Sequence, residues 1–373
     1  MGNKTTKRIF VTGGGTGGHI YPALAVIDEL RKNGFDDIFY VGNQKNQEFS
    51  LAKEKNIKFL PVNINGMPRK ISLNSLFWAI KLIFAILKSL IYILKYKPDV
   101  VFATGGYVSA PLLFASRFMK IPYFQHDADA KPGVVTLCFM DKAVVLSTPF
   151  ENVKKESENV NVQVTGNPIR SEFSTLSKEE AKQKLNFEDK ITVLVMGGSQ
   201  GARSINNAII PVAKKLIEEF NIRILHQSGK NRYDEAVNLL TEHFPDYKEN
   251  QNYKLFPYID DMPAILKASD IAIARSGSLS LSEIQASGVA SILIPYPYSA
   301  GNHQQKNALT LVEQGSALMI NDFDLTPELL YENLSEILKN NEKLKIMQKK
   351  ALENSKPDAV KQITKNIIDF LNE

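Results

Sequence analysis

The chain has 373 residues, of which 44% are hydrophobic and 23% are charged, and it contains one cysteine, Cys138. This length exceeds one typical hydrophobic core, so two domains are expected, and the composition excludes disordered and disulfide-rich proteins. The net charge of +5 favours anionic partners such as nucleotides or anionic lipid without selecting one. Because the amino terminus reads directly into a strand pattern without an apolar signal region, we expect a cytoplasmic protein.

The first predicted unit joins a strand, a glycine loop and a helix within residues 7–30. Residues 9–11 form the predicted strand, and the sequence GGGTGGH from Gly13 to His19 follows it. Backbone N–H groups in such a loop can approach an anion closely, so the pattern predicts a phosphate or diphosphate cradle, or a crowded turn of similar shape. His19 lies where the loop meets the helix, where it either caps the helix or acts at the reacting centre.

The same loop matches the dinucleotide fingerprint GxGxxG at Gly13, Gly15 and Gly18. This match alone is a weak signal, and it leaves a nicotinamide oxidoreductase as an alternative. Such a site requires an acidic residue at the end of the second strand, about 20 residues on, to bind the ribose. The second predicted strand leads into Gly42 and Asn43 instead. Absence of NAD binding would exclude this alternative.

Short β-rich runs alternate with helical patterns along most of the chain, which is typical of doubly wound parallel sheets. The pattern breaks at the sequence GNPIR and begins again at residue 191 with ITVLVMGGSQGA. We therefore predict an α/β protein with an N-terminal domain over 1–166 and a C-terminal domain over 167–357. A closing helix over 358–373 is expected to pack back on the first domain. Further predicted strands are residues 38–41, 57–62, 100–103, 121–124 and 143–146, then 223–226, 254–256, 271–274 and 291–294.

One segment, residues 71–94, is apolar enough to suggest a membrane span. A spanning helix would carry lysines near the hydrocarbon centre, at about 2.5 to 3.5 kcal/mol each. Two alternatives remain: a wholly internal helix, or a helix with one side on the sheet and with Trp78, other apolar side chains and lysines at an anionic bilayer surface. Polar side chains recur every seven residues in and just after this segment, at Asn74, Lys81, Lys88 and Lys95.

Three further glycine turns follow predicted strands, where ligands bind open α/β sheets. They are ATGGYVS from Ala103, GGSQGA from Gly197 and RSGSLSLSE from Arg275. The last one opens a helix whose free N–H groups and positive dipole end suit a diphosphate, while Glu283 can accept hydrogen bonds from ribose hydroxyls. Each turn alone can be a well-capped helix, but four of them in two tandem domains favour a nucleotide site.

The motifs together resemble those of the MurG family, the glycosyltransferases that complete the lipid-linked precursor of peptidoglycan. This resemblance implies a GT-B architecture, in which two Rossmann-like domains with parallel sheets face each other across a cleft. It also implies the inverting transfer of N-acetylglucosamine from UDP-N-acetylglucosamine to the C4 hydroxyl of undecaprenyl-pyrophosphoryl-N-acetylmuramoyl-pentapeptide (lipid I), at the cytoplasmic face of the cell membrane. The motifs that carry the resemblance are GGGTGGH, ATGGYVS, GNPIR, GGSQGA, HQSGK at His226, IDDM at Ile259, RSGSLSLSE and NHQQKNA at Asn302.

The family pattern implies the residues that bind the donor. Backbone groups of Ile259 would read the uracil, Glu283 would bind the ribose, the helix start at Ser278 would hold the diphosphate, and Gln304 or Gln305 would bind the sugar hydroxyls. The full set of implied donor contacts is Thr16, Gly17, Gly18, Asp129, Arg170, Ser199, Ile259, Ser278, Leu279, Ser280, Leu281, Ser282, Glu283, Gln304 and Gln305.

The chain departs from the family after the strand predicted at 121–124, where the family reads HEQN and this sequence reads His126, Asp127, Ala128, Asp129. Asp127 keeps a carboxylate on a shorter arm, and Asp129 replaces a neutral amide that contacts the donor. His19 and Asp127 are the candidate bases for the acceptor hydroxyl, and each of them can instead have only an orienting role. Read alone, the DxD pattern can hold a divalent metal, but the family requires neither a metal nor a cofactor.

Two other classes of function remain open beside this resemblance. A sugar transferase acting on another lipid, such as diacylglycerol, shares the donor site. A non-catalytic membrane-binding subunit fits the apolar helix but leaves the donor motifs unexplained.

Overall fold

The computed structural model describes residues 7–68, 73–155, 159–198 and 200–373, which form two compact units. The first unit ends at Ile169 and includes Lys356–Glu373, and the second is Arg170–Ser355. The boundaries expected from the sequence, at 166 and 357, lie within three residues of these positions.

The first unit contains a sheet of seven parallel strands in the order β3-β2-β1-β4-β5-β6-β7. The order reverses beside β1, because β2 pairs with one of its edges and β4 with the other. The loops after β1 and β4 therefore lie next to each other at the carboxyl ends of the strands. The strands are β1 (Ile9–Thr12), β2 (Ile38–Gly42), β3 (Lys58–Pro61), β4 (Val100–Ala103), β5 (Tyr123–His126), β6 (Leu146–Thr148) and β7 (Val162–Val164).

Helices cover both faces of this sheet because alternate strand residues point to opposite sides. Ile9 and Val11 pack in one core cluster with α1 and α16, and Phe10 packs in another with α3 and α4. The helices of this unit are α1 (Gly17–Lys32), α2 (Gln47–Glu54), α3 (Leu73–Tyr96), α4 (Ala110–Met119), α5 (Val134–Phe139), α6 (Glu151–Lys155) and, from the end of the chain, α16 (Ala359–Asn372).

The second unit repeats the plan with six parallel strands in the order β10-β9-β8-β11-β12-β13. Its strands are β8 (Thr192–Met196), β9 (Arg223–Gln227), β10 (Tyr253–Phe256), β11 (Ile271–Ala274), β12 (Ala290–Leu293) and β13 (Ala317–Met319). Its helices are α7 (Glu172–Thr175), α8 (Lys178–Lys184), α9 (Arg203–Phe220), α10 (Tyr233–His243), α11 (Met262–Ala268), α12 (Ser278–Ser287), α13 (His303–Glu313), α14 (Pro327–Lys339) and α15 (Asn341–Asn354).

Two predicted strands begin two or three residues too early, and the local hydrogen bonds give the reason. The prediction started β5 at Ile121, but the Ile121 N–H bonds to Ser116 O and closes the end of α4, while Pro122 has no N–H to donate. The prediction started β6 at Ala143, whose N–H bonds to Met140 O and closes a short turn. The prediction omitted the three-residue edge strands β7 and β13.

The segment predicted at 71–94 forms α3, and it is not an internal helix. Of the described helices, it is the one long and apolar enough to cross a membrane by length and composition alone, over Ser75–Tyr96 with a mean hydropathy of 2.0. Only 17% of its most apolar window is buried. Residues 71 and 72 and the side chain of Asn74 lie outside the description, so the polar stripe is visible from Lys81 onward.

Candidate active site

The glycine loop of the first unit connects β1 to α1 and contacts the second glycine turn, after β4. A Cβ on Gly106 would lie 2.3 Å from the Gly14 carbonyl oxygen, so only glycine permits this approach. Thr16 precedes α1 with extended backbone and makes no side-chain cap, and the first turn of the helix contains no acidic residue. Thr16, Gly17 and Gly18 therefore lie at a helix start whose backbone donors are open to an anion.

His19 is held in one orientation by this second turn. Its Nδ1 lies 2.9 Å from the Thr104 carbonyl oxygen, which can only accept, so the hydrogen bond assigns the proton of the neutral ring to Nδ1. The Thr104 hydroxyl donates to the His19 carbonyl oxygen at 2.6 Å, which fixes the backbone at the same point. The Nε2 atom of the half-buried ring thus carries the lone pair, as a general base requires.

The side chain of Asp127 is occupied by its own loop. Its Oδ1 accepts the Asp129 N–H at 3.2 Å, and its Oδ2 accepts the Gly133 N–H at 2.9 Å. The carboxylate is 6% exposed and fixes the turn that follows β5. Asp129 lies on this turn, so the structure brings it next to Asp127.

His126 is the last residue of β5, and it is fully buried. Its Nε2 lies 3.0 Å from Asn167 Oδ1, and burial lowers its pKa from 6.5 to about 4, so the ring is neutral. Asn167 belongs to the GNPIR motif, 41 residues away, and thus ties that motif to the turn containing Asp127.

In the second unit, α12 begins directly after β11 and offers the second helix start. The residue before it, Gly277, makes no side-chain cap, and the first turn contains no acidic residue. Ser278 and Leu281 are buried, whereas Leu279, Ser280 and Ser282 are half-buried and accessible to a ligand. Arg275, which the sequence reading gave no separate role, anchors the end of β11 through bonds to Ile294 O, Pro295 O, Ser204 Oγ and Asp322.

Glu283 lies one turn into α12, close to Arg170. Burial raises the pKa of its carboxyl from 4.5 to about 7, and the Arg170 charge opposes this rise. The carboxyl is therefore poised between its charged and neutral forms near neutral pH. Arg170 is exposed, with its guanidinium 5.1 Å from the centre of the Phe173 ring.

The remaining predicted donor residues lie in the first turn of α13 and on loops of the same unit. Gln304 is the second residue of α13 and accepts the Tyr296 N–H on Oε1 at 2.9 Å, which leaves its amide nitrogen to donate. Gln305 follows it and is half-buried. The N–H of Ile259 donates to Gln227 Oε1 at 2.8 Å. Ser199 lies outside the described residues.

Two protein-family models match this chain, one for each half of the sequence. The model of the glycosyltransferase family 28 N-terminal domain matches residues 9–144, and that of the glycosyltransferase family 28 C-terminal domain matches residues 192–363. The chain is similar to the crystal structure of Acinetobacter baumannii MurG, with a TM-score of 0.79 and 27% identity over 97% of this chain and 99% of that one.

Two curated relatives are more similar in sequence, and both are named UDP-N-acetylglucosamine--N-acetylmuramyl-(pentapeptide) pyrophosphoryl-undecaprenol N-acetylglucosamine transferase. The relative from Halothermothrix orenii is 35% identical over 354 residues, which cover 94% of this chain and 95% of the relative. The relative from Thermoanaerobacter sp. strain X514 is 37% identical over 358 residues, which cover 95% of this chain and 97% of the relative.

These similarities confirm the resemblance drawn from the motifs and the two parallel-sheet domains of the predicted GT-B fold. They exclude the nicotinamide oxidoreductase and the non-catalytic subunit, since the matching proteins are hexosyltransferases along nearly their whole length. The chain belongs to the MurG family of glycosyltransferases.

Proposed function

We propose that this enzyme transfers N-acetylglucosamine from UDP-N-acetylglucosamine to the C4 hydroxyl of lipid I, giving lipid II for peptidoglycan synthesis. The observation that carries this proposal is the 35 to 37% identity to relatives of that name over nearly the full length of both chains. The family motifs also lie at the carboxyl ends of parallel strands in both units, where open α/β sheets bind their ligands.

The acceptor hydroxyl needs a base, and His19 is the better of the two candidates. Its Nε2 takes the proton as the C4 oxygen attacks the anomeric carbon and the bond from that carbon to the diphosphate breaks. The imidazolium formed in this step is stabilised by the Thr104 carbonyl, which already accepts the Nδ1–H. Asp127 has both oxygens engaged by backbone N–H groups, so its role is to hold the turn that carries Asp129.

The donor binds to the second unit, with its diphosphate at the start of α12. N–H groups at Ser278, Leu279 and Ser280, together with the positive end of the helix dipole, offset the charge that develops on the leaving UDP. Ribose hydroxyls donate to Glu283. Sugar hydroxyls bond to Gln304 and Gln305, and the family pattern adds Thr16, Gly17, Gly18, Asp129, Arg170, Ser199, Leu281 and Ser282.

The reaction proceeds without a metal ion in this proposal. Each oxygen of the Asp127 carboxylate in the DxD pattern already accepts one backbone N–H, so a cation bound there would compete with the two hydrogen bonds that hold the turn. Within the described ranges no three His, Cys, Asp or Glu side chains converge as a metal site would require. Turnover should persist in excess EDTA. Loss of turnover that manganese or magnesium restores would make Asp127 and Asp129 metal ligands.

The acceptor is a lipid, and we propose that the enzyme meets it by docking at the cytoplasmic face of the membrane through α3, α4 and α5. These helices share an exposed apolar surface that lysines border, at Lys81, Lys88 and Lys95. The helix α3 is the crossover between two strands of one sheet, and it buries Ala85 and Ile93 in the core, so it lies at the interface and does not span the bilayer. The exposed apolar side chains of this surface are Leu76, Phe77, Ile80, Ile83, Phe84, Leu87, Ile91, Leu94, Phe114, Phe118, Val134 and Leu137.

The direct test is turnover of radiolabelled UDP-N-acetylglucosamine with a short-chain analogue of lipid I, followed by separation of the lipid product. Label should appear in the lipid analogue, and released UDP should match it in amount. Diacylglycerol serves as the competing acceptor. Transfer to diacylglycerol and none to the lipid I analogue would replace the proposed reaction by that of a glycolipid synthase.

A further inference from the structure

The HQSGK motif, residues 226–230, is the one family motif to which neither the sequence reading nor the proposed reaction gives a role. It lies at the end of β9 and joins two loops of the second unit. On one side is the loop over 256–261, which contains Ile259. On the other side is the glycine loop that follows β8 and contains Gly198 and Gly201.

Three residues of the motif hold the 256–261 loop. The N–H and the hydroxyl of Ser228 both donate to the Phe256 carbonyl oxygen, at 3.0 and 3.2 Å. The Lys230 ammonium lies 4.7 Å from the centre of the Tyr258 ring, within range of a cation–π contact. Gln227 accepts the Ile259 N–H on Oε1 at 2.8 Å.

The motif also holds the glycine loop. The Gln227 amide donates from Nε2 to the Gly198 carbonyl oxygen at 3.3 Å, so one buried side chain bridges both loops. A Cβ on Gly201 would lie 2.0 Å from the Ser228 carbonyl oxygen, which shows how closely the two backbones approach. That carbonyl accepts from Asn206, which is in turn fixed by the buried His226 ring at 3.0 Å.

The Gln227 bond decides which polar group Ile259 can present to a nucleobase. Because its N–H is already used, the carbonyl oxygen is the backbone group of Ile259 without a hydrogen-bond partner in the described part of the chain. A carbonyl only accepts, so it favours a base edge with a donor, such as the N3–H of uracil. Cytosine presents a lone pair at N3 and is disfavoured there.

We propose that Gln227 is a positioning residue that sets the preference for a uracil nucleotide by fixing the Tyr258–Ile259 peptide. This inference rests on the proposed function, since it concerns the donor of that reaction. Gln227 acts by holding the Ile259 backbone in place, and it does not itself contact the base.

The experiment compares UDP and CDP binding by calorimetry for the wild type, Gln227→Met and Gln227→Glu. Methionine has a similar length and makes neither bond, whereas glutamate keeps the acceptor for the Ile259 N–H and loses the donor to Gly198. Gln227→Met should weaken UDP binding roughly tenfold and CDP binding less than threefold, so the UDP preference narrows. Gln227→Glu should keep the preference for UDP.

Steady-state kinetics provide the second readout: the donor KM should rise in Gln227→Met while kcat changes little. If methionine prevents folding, Gln227→Asn replaces it, because the shorter arm cannot reach Ile259. Equal losses for UDP and CDP would show a merely structural role, and tighter UDP binding would show that Gln227 competes with the base. Either result overturns the inference. Failure of the wild type to bind UDP would instead overturn the proposed function.

Discussion

The difference between His19 and Asp127 lies in what their polar atoms already bind. The imidazole has one nitrogen bonded to Thr104 and the other available to accept a proton. The Asp127 carboxylate accepts one backbone N–H on each oxygen, so accepting a proton would weaken two bonds at once. This geometry separates a base from a residue that holds the turn beside it.

We therefore expect His19→Gln to lower kcat by about 10²- to 10⁴-fold while the donor KM changes little, because only proton transfer is lost. Asp127→Asn should lower kcat by only about tenfold, since the amide oxygen still accepts one hydrogen bond from the turn. Steady-state kinetics at saturating acceptor test both variants, with the exposed His243→Gln as the control. A larger loss of kcat for Asp127→Asn than for His19→Gln would transfer the role of base to Asp127.

Glu283 makes donor binding depend on pH. Its pKa of about 7 means that the carboxyl is increasingly neutral below pH 7, and the neutral form accepts ribose hydroxyls less well. Donor affinity should thus rise with pH through 7 and level off above 8, with the Kd about tenfold weaker at pH 6 than at pH 8. Calorimetric titration with UDP measures this profile. In Glu283→Gln, UDP should bind weakly at every pH, and a profile unchanged from the wild type would remove Glu283 from the site.

The same carboxyl lowers stability at neutral pH. In the unfolded chain its pKa is 4.5, so the unfolded state ionises first as pH rises, and folding loses free energy between pH 4.5 and about 7. At pH 8 the Glu283→Gln variant should therefore be more stable than the wild type, with a free energy of unfolding higher by an amount on the order of 1 to 3 kcal/mol and a higher unfolding temperature. At pH 4.5 the two proteins should unfold at the same temperature. Differential scanning calorimetry at the two pH values is the measurement. Equal unfolding temperatures at pH 8 would mean that the carboxyl is solvated in the folded protein.

Several site positions were predictable because glycine turns, helix starts and strand ends leave local sequence patterns. The partners of those positions were not, since they come from other strands. Thr104 is 85 residues from His19, and the two meet only because β4 is the neighbour of β1. Asn167 reaches His126 over 41 residues, and Gln227 reaches Ile259 over 32. Each partner belonged to a recognisable motif, but the motif gave no indication of its contact.

At the scale of elements, α3 has one side packed on the sheet and one exposed side, and the sequence alone did not show which residues belong to each. The stripe that contacts the sheet contains the buried residues Ala85, Ser89 and Ile93, spaced four apart, with half-buried side chains beside it, and the opposite side of the helix is exposed. Trp78 belongs with the packed side: it is half-buried and donates from Nε1 to the Asn65 carbonyl oxygen at 2.8 Å. The expectation that Trp78 would project toward the bilayer is corrected by this bond.

Phe77 and Phe84 are better probes of membrane docking, being 62% and 68% exposed. Replacing both with Ser should reduce binding to vesicles with anionic lipid by about tenfold or more, since each removes a large apolar side chain from the interface. Vesicle sedimentation measures the loss, and UDP affinity should not change. Phe323→Ser is the matched control, because Phe323 is 76% exposed on the second unit. Vesicle binding unaffected by the double change would refute docking through α3.

The strands that were predicted correctly have continuous apolar residues, as in Val100–Ala103 and Ile271–Ala274, because both faces of a parallel sheet are buried. The edge strands β7 and β13 have three residues each, which is too short for an apolar run to indicate a strand, and β7 is interrupted by Gln163. The start of α8 is marked by a capping box between Ser177 and Glu180, a pattern that is visible in the sequence. Apolar runs and helix caps could thus be predicted from the local sequence. Short edge strands could not, because they form only by pairing with a neighbouring strand.

For the molecule as a whole, the chain passes from the first unit to the second and then returns with α16. The returning helix contributes Ile363, Ile367 and Leu371 to the core cluster that contains β1 and α1. Its Asn366 side chain donates to Gln163 at 2.7 Å, and the Phe370 ring contacts Phe124 edge-on at 5.7 Å. The stability of the first unit therefore depends on the last residues of the chain.

Ile367→Ala tests this dependence, because the side chain is fully buried and its truncation should cost about 2 to 5 kcal/mol. Since the contacts of Ile367 in this core cluster lie in the first unit, hydrogen exchange should accelerate in β1 and α1 and stay unchanged in β8 and β11. Ile346→Ala is the control, since that residue of α15 is 51% exposed and its loss should cost less than about 0.5 kcal/mol. Equal acceleration in both units would mean that they unfold as one cooperative body, and unchanged exchange in β1 would mean that α16 contributes nothing to the core of the first unit.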